Sequence, residues 1–324
     1  LHSMVLFYAV NLASKDDCSH SERLVWFRQF FEQWGMGEGL MEEDWKQNVY
    51  EGKHFPSLAE KAIRCYSEAP DSGSSDVESY KALLEKASSK VSENENILRK
   101  LAMLYHKTGR KDDAIRITKD LIKTHTGKFY FWYELAHYVG SEQLDLCIAC
   151  CAKALLSTKE ERYLGNIHIA MGSLLAKKGL YAEVLCEAEK YKAICVENRW
   201  TVRAQYNTLR SIVPSGTVRT EDNHGLYKQY ESIADEFMYS DIPSRTMVLT
   251  ESFFQENKHS GKKRLIFVLY DKNNKSIRIN PNAFGLDRKT KFGTCFEVKS
   301  IVEDNRERAL TVRQVEKVDV LSYK

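Results

Sequence analysis

The chain has 324 residues and a mass of 37.5 kDa, is 43% hydrophobic and 29% charged, and has only 5 prolines and 16 glycines. That composition describes globular domains with a sizeable core, and it excludes wholesale disorder and collagen-like or linker-dominated architecture. The longest apolar runs, such as Met4–Val10 and Leu265–Tyr270, fall far short of the ~20 residues that a membrane-spanning helix needs.

Length alone suggests about two domains. The net charge of +3 divides unevenly, because residues 245–324 hold 17 Lys/Arg against 10 Asp/Glu while residues 1–244 hold 31 against 35. A basic C-terminal part next to a slightly acidic remainder is a candidate polyanion binder, although a domain of this size also reaches such a value by chance. Eight cysteines without framework spacing fit a reducing cytoplasm. The opening LHSMVLFYAVNLASK has neither a basic region nor a cleavage site and starts with Leu1, which reads as a truncated N-terminus.

From the start to about residue 240, helical periodicity dominates, broken at 16–19, 35–39, 51–54, 69–75, 124–128 and 214–220 by Gly, Ser, Asp or Pro. Early in this stretch, LVWFRQFFEQW places Phe27, Phe30, Phe31 and Trp34 on one helical stripe beside Trp26, a core pattern rather than a base-stacking platform. In KHFPSLAEKAIRCYSEA, Ser57 and Glu60 form a capping box for the helix that follows.

Between residues 95 and 198 helix pairs recur at about 34–35 residues, a solenoid period. Leu98, Leu101, Ala102 and Tyr105 line a first helix. The turn KTGRKDDAI follows, and Ala114, Ile117 and Leu121 line a second. The turn returns as KKGLYAEVL, with Gly179 in the place of Gly109 and Met171, Gly172 and Leu175 in those of Leu101, Ala102 and Tyr105. Trp132, Leu135 and Ala136 open an intermediate copy whose second helix carries Cys147, Cys151 and Ala154, and which reads as one residue short and without a turn glycine. At these positions the pattern resembles the tetratricopeptide repeat. The resemblance implies stacked helix pairs whose first helices line a groove for a protein or peptide partner, with Asn96, Arg99, His106, Lys107, Tyr130, Tyr133, His137 and Asn166 facing it. A purely architectural stack with a solvated face is the alternative.

After a linker and a helix around Tyr227–Met238, the period changes to two. Val248–Phe254, Arg264–Tyr270, Ser276–Ile279, Thr294–Val302 and Ala309–Val318 read as strands, joined at DKNNK and EDNRER by hairpin turns. The Asn-Pro loop followed by GTCFEV (293–298) and the closing ALTV (309–312) resemble a cold-shock or S1-like barrel of the OB type. That resemblance implies single-stranded nucleic acid bound by stacking aromatics flanked by basic residues. The candidates are Phe267, Tyr270, Arg278, Phe284, Lys291, Phe292 and Arg313, although alternate aromatics of a small barrel also fill its interior.

The Cys-x-x-Cys in CIACC (147–151) lies within a helical run without a second ligand pair, so packing explains it better than zinc. No phosphate loop, nucleophile elbow or His-Glu-x-x-His occurs. The expected architecture is therefore mainly α and multi-domain. It comprises divergent N-terminal hairpins (1–94), tetratricopeptide-like repeats (95–240) and a basic five-stranded OB-type domain (245–324). The expected function is a non-enzymatic cytoplasmic adaptor with no cofactor or metal, holding a protein partner and, through the barrel, single-stranded RNA or DNA. With HFPSLAEKA and INPNAF, the layout is similar to accessory proteins of bacterial conflict systems. A pure protein scaffold and an unrecognised hydrolase or nuclease are the alternatives.

Overall fold

The computed structural model describes residues 2–35, 38–51, 53–69, 77–91, 94–125, 127–256, 263–303 and 306–315. Helices α1 (His2–Ala13) and α2 (His20–Gln33) pack on each other and on α3 (Leu58–Glu68), with a short hairpin of β1 (Asn48–Tyr50) and β2 (Lys53–Phe55) between them. The helical periodicity of this stretch gave no sign of that hairpin. α3 starts where its capping box predicts: the Ser57 N–H donates to Glu60 Oε2 at 2.7 Å, and the Glu60 N–H donates to Ser57 Oγ at 3.2 Å. Phe27 and Phe31 are fully buried, whereas Trp26 stays exposed and stacks on Phe30 at 5.7 Å.

The stack continues through α4 (Val77–Lys90), α5 (Glu95–Lys107), α6 (Lys111–Thr124), α7 (Phe129–Val139), α8 (Leu144–Leu156), α9 (Gly165–Lys177), α10 (Tyr181–Glu197), α11 (Ala204–Ser211) and α12 (His224–Met238). From α4 to α11 each helix packs on the next. α5 and α9 end alike. Gly109 (φ +82°) and Gly179 (φ +75°) take the left-handed conformation, so Arg110 N–H reaches Tyr105 O at 2.8 Å and Leu180 N–H reaches Leu175 O at 3.1 Å. Both are Schellman ends, which satisfy carbonyls that the helix leaves open. The middle copy, contrary to its sequence reading, has its own turn glycine: Gly140 (φ +82°) ends α7, and the longer turn Ser141–Gln143 before α8 hides the alignment.

One hydrophobic core runs from Leu6 to Met238. α8 lies at its centre, with Leu146 through Ala152, Ala154 and Leu155 all buried. Its cysteines and alanines are small enough for α7, α9 and α12 to approach from three sides. α12 is a strap across the second helix of each pair. Tyr227 reaches Glu187 on α10, Glu231 and Asp235 hold Lys153 on α8, and Lys119 on α6 lies over the Phe237 ring at 4.9 Å. The first helices, α5, α7 and α9, are left on the other side.

After α12 the chain forms a five-stranded antiparallel sheet of β3 (Arg245–Glu256), β4 (Lys263–Tyr270), β5 (Ser276–Ile279), β6 (Cys295–Glu303) and β7 (Arg306–Val315), in the order β5-β4-β3-β6-β7. The edge strands β5 and β7 approach one another without a hydrogen-bonded ladder, so the sheet is open. One face buries Met247, Leu249, Phe267, Leu269, Ile277, Ile279, Phe296, Val298 and Val312, a second core separate from the helical one. Phe284, which ends the 3₁₀ turn Pro281–Phe284, and Leu286 just past it pack on this core. Arg245 locks the sheet, pairing with Asp271 at 3.3 Å and with Glu307. Lys299 Nζ donates to Tyr239 O at 2.7 Å and joins the sheet to the end of α12.

Candidate functional site

Two surfaces merit attention, and the first is the inner face of α5, α7 and α9. Arg99 pairs with Glu134 at 2.5 Å and stacks on the Tyr130 ring at 4.9 Å, and the Tyr130 hydroxyl donates to Glu95 at 3.1 Å. Two turns further along, the rings of His106 and His137 stand 4.9 Å apart, and His106 also meets Tyr138 at 5.0 Å. Burial and the neighbouring His137 hold the His106 imidazole below its ordinary pKa, which favours a neutral ring. Tyr133 and His137 line an open cleft of about 260 Å³, floored by Ala136, Cys147 and Cys151 and walled on the α9 side by Ala170, Ser173, Leu174 and Lys177.

The structure thus brings together Arg99 with Tyr130 and His106 with His137, with Tyr133 beside them at the cleft. Asn96 and Lys107 sit exposed at opposite ends of α5, and Asn166 Oδ1 accepts from Arg203 at 3.1 Å, near α11. Sequence reasoning missed Ser173 and Lys177. The signal was present, because Asn166, Ala170, Ser173 and Lys177 recur at helical spacing on one face of α9.

The floor of the cleft carries no reactive thiol. Cys147 Sγ lies 2.9 Å from Gly140 O, and burial pushes the thiols of Cys147, Cys150 and Cys151 up. They pack, as CIACC suggested. Among the described residues no group of three His, Cys, Asp or Glu is placed to hold a metal ion, and no helix is long and apolar enough to cross a membrane.

The second surface is the outer face of β3, β4 and β5, whose membership follows from strand register. Val268 pairs with Arg278, and Ile266 pairs with Phe253. Because Leu269 and Phe267 face the core, alternation puts Arg264, Ile266, Val268 and Tyr270 on the other face of β4, with Arg278 beside them on β5 and Phe253 on β3; Ile266 and Val268 are nonetheless buried there. Arg278 reaches across to lie 5.8 Å from the Phe253 ring centroid. Phe253, Arg264 and Arg278 are all exposed. Lys291 and the exposed Phe292 precede a segment bonded to β3, where Gly293 N–H donates to Leu249 O and Leu249 N–H donates to Thr294 O.

Three residues proposed for nucleic-acid contact take other positions. Phe267 is 1% exposed and belongs to the sheet core, since the β3–β4 register puts its side chain inside. Phe284 is half-buried against the same core. Arg313 is engaged by Glu297 at 2.9 Å, with Glu236 of α12 at 4.0 Å. Tyr270 and Arg278 share the outer face. Phe253 and Arg264 went unnoticed because period-two alternation does not say which parity faces the core, and a bulge between Leu249 and Glu251 shifts the parity of β3.

Residues 99–234 match a family described as "Domain of unknown function (DUF7017)", a stretch reaching from α5 into the strap. Comparison with curated proteins finds no match. Among solved structures, MamA MSR-1 (crystal form C2) is 15% identical, with 54% of this chain and 98% of that one covered and a TM-score of 0.32. MamA AMB-1 in two crystal forms gives 15% identity and TM-scores of 0.31 and 0.32, covering 53% and 60% of this chain and 99% and 98% of those.

Proposed function

We propose that the chain is a non-enzymatic adaptor with two binding faces. The inner face of the tetratricopeptide-like helices holds a partner peptide, seating an apolar side chain in the cleft between α7 and α9. The open sheet, read as a relative of the OB fold, carries single-stranded nucleic acid on the outer face of β3–β5, with Phe253 as the stacking platform and Arg264, Arg278 and Lys291 on the phosphates. The observation that carries the nucleic-acid half is the exposed Phe253 ring with Arg278 laid against it and exposed Arg264 nearby, although Ile266 and Val268 between them are buried.

The test is a gel shift of the whole chain with single-stranded DNA and RNA at two salt concentrations. Binding should weaken as salt rises, because each phosphate contact releases counterions. Phe253→Ala should lower affinity by about tenfold, the order expected for losing one stacked base, and Arg278→Glu should flatten the salt dependence. No shift at low salt, or a shift that neither variant alters, refutes this half. It would leave the pure scaffold, which one feature favours: Arg313, on the sheet's other edge, is already engaged by carboxylates.

A further inference from the structure

Taking the inner face as the peptide groove proposed above, we propose that its occupant is acidic. One carboxylate of the peptide settles on a row of His106, His137 and Lys177, beside the apolar side chain in the cleft, and the histidine pair takes up a proton on binding. The last turns of three first helices supply the row, with His106 and Lys107 ending α5, His137 ending α7 and Lys177 ending α9. The His106 and His137 rings stand 4.9 Å apart, and His137 and Lys177 both line the cleft and are exposed.

Charge complementarity selects the acid. Residues 1–244 hold 31 Lys/Arg against 35 Asp/Glu, so a basic row is a local departure from a slightly acidic body. The nearby carboxylates are already engaged: Glu134 on α7 by Arg99, and Glu142, in the turn before α8, by Lys111. Lys177 makes no ion pair among the described residues. His106 Nδ1 is buried without a hydrogen-bond partner among them, and so is the hydroxyl of Tyr138, whose ring lies 5.0 Å from the His106 ring. Around the pair stand Lys107 on α5, Lys111 on α6, Glu134 and Tyr138 on α7, Cys147 on α8 and Lys177 on α9. Burial keeps the Tyr138 hydroxyl and the Cys147 thiol neutral. A helix C-terminus ordinarily favours the imidazolium, yet burial, His137 and Lys111 hold His106 below its usual pKa. An arriving carboxylate reverses that balance, because an opposite charge within a few ångströms favours the charged ring. The occupied face then binds more protons than the free one, so affinity rises as pH falls through the histidine range.

The experiment is calorimetric titration of the full chain with three peptides capped at both ends, in which leucine alternates with glutamate, glutamine or lysine. Near about pH 6.5 the glutamate peptide should bind about tenfold more tightly than the glutamine one, and more weakly as salt rises. Its binding heat should differ between phosphate and Tris buffers in the sense of proton uptake. Lys177→Glu should abolish the preference for glutamate and Lys177→Arg should keep it, while His137→Gln should remove at least about half of the proton uptake. Both residues are exposed, so the thermal melts of these variants should match wild type. Equal binding of the glutamate and glutamine peptides, or a stronger grip on the lysine peptide, would overturn the acidic occupant and leave the groove. Binding of none of the three would overturn the groove as well. A glutamate preference that survives Lys177→Glu or takes up no proton would overturn the row, and displacement of the glutamate peptide by a single-stranded oligonucleotide would make it a phosphate site instead.

Discussion

His168 on α9 is 2% exposed, and its Nδ1 lies 2.6 Å from the fully buried carboxylate of Glu187 on α10. Asn223 and Tyr227 donate to the other oxygen of that carboxylate, so four side chains from three helices share one buried charge. Burial alone favours the neutral imidazole, but Glu187 and the nearby Glu161 outweigh it and hold the His168 pKa above its ordinary 6.5. The folded chain then keeps a proton that the unfolded chain gives up. The pair's contribution is complete below the unfolded pKa and declines as pH rises through the folded one. Glu187→Gln should cost about 3 kcal/mol near pH 6, as for a broken buried pair. The deficit should narrow as pH rises beyond the ordinary imidazole range without closing, because a neutral imidazole still hydrogen-bonds. Urea unfolding at several pH values measures it, and a deficit that ignores pH would remove His168 from the account. A smaller residue effect lies at the end of α10, where Arg199 (φ +57°) holds the left-handed position that Gly109 and Gly179 hold elsewhere, and Trp200 N–H donates to Cys195 O at 2.8 Å. Arg199→Gly should raise stability by about 0.5–1 kcal/mol, read as a higher urea midpoint with unchanged slope.

Among elements, legibility tracked the strength of the local signal. The capping box at Ser57, the glycine-ended helices α5 and α9 and the small-residue face of α8 were visible because each depends on residues a few positions apart. The β1–β2 hairpin was not, since strands of three residues leave no period to detect. Strand positions in the basic part were also readable, but which side chains share a face was not. Which face of β4 looks inward is decided by pairing with β3 and β6, so Phe267 was placed outside and Phe253 overlooked. The groove shows the same division, in that individual helix faces could be read while the meeting of His106 with His137 across α5 and α7 required the stack.

At the scale of the whole molecule, α12 determines which surfaces remain available. Its sequence reads as an ordinary amphipathic helix, and nothing local reveals that it spans three helix pairs. The Lys153 ammonium, mostly buried on α8, meets Glu231 at 2.8 Å and Asp235 at 3.0 Å, while Lys123 on α6 meets Asp241 at 3.0 Å just past the end of α12. Burial lowers and the two carboxylates raise the Lys153 pKa, with the carboxylates prevailing, so the ammonium stays charged where it is held. Because Lys299 ties the sheet to Tyr239, the strap also sets where the sheet sits against the solenoid. Lys153→Met keeps the volume but leaves two carboxylates facing one another. It should therefore destabilise the chain by about 1–3 kcal/mol, less than a fully buried pair because the site is partly wet. The cost should fall on the strap first: in hydrogen exchange the amides of α12 should lose protection while those of α5 and α7 keep theirs. Equal loss across all helices would mean that the strap and solenoid unfold as one unit, and that the sheet is carried by the stack as a whole rather than by α12.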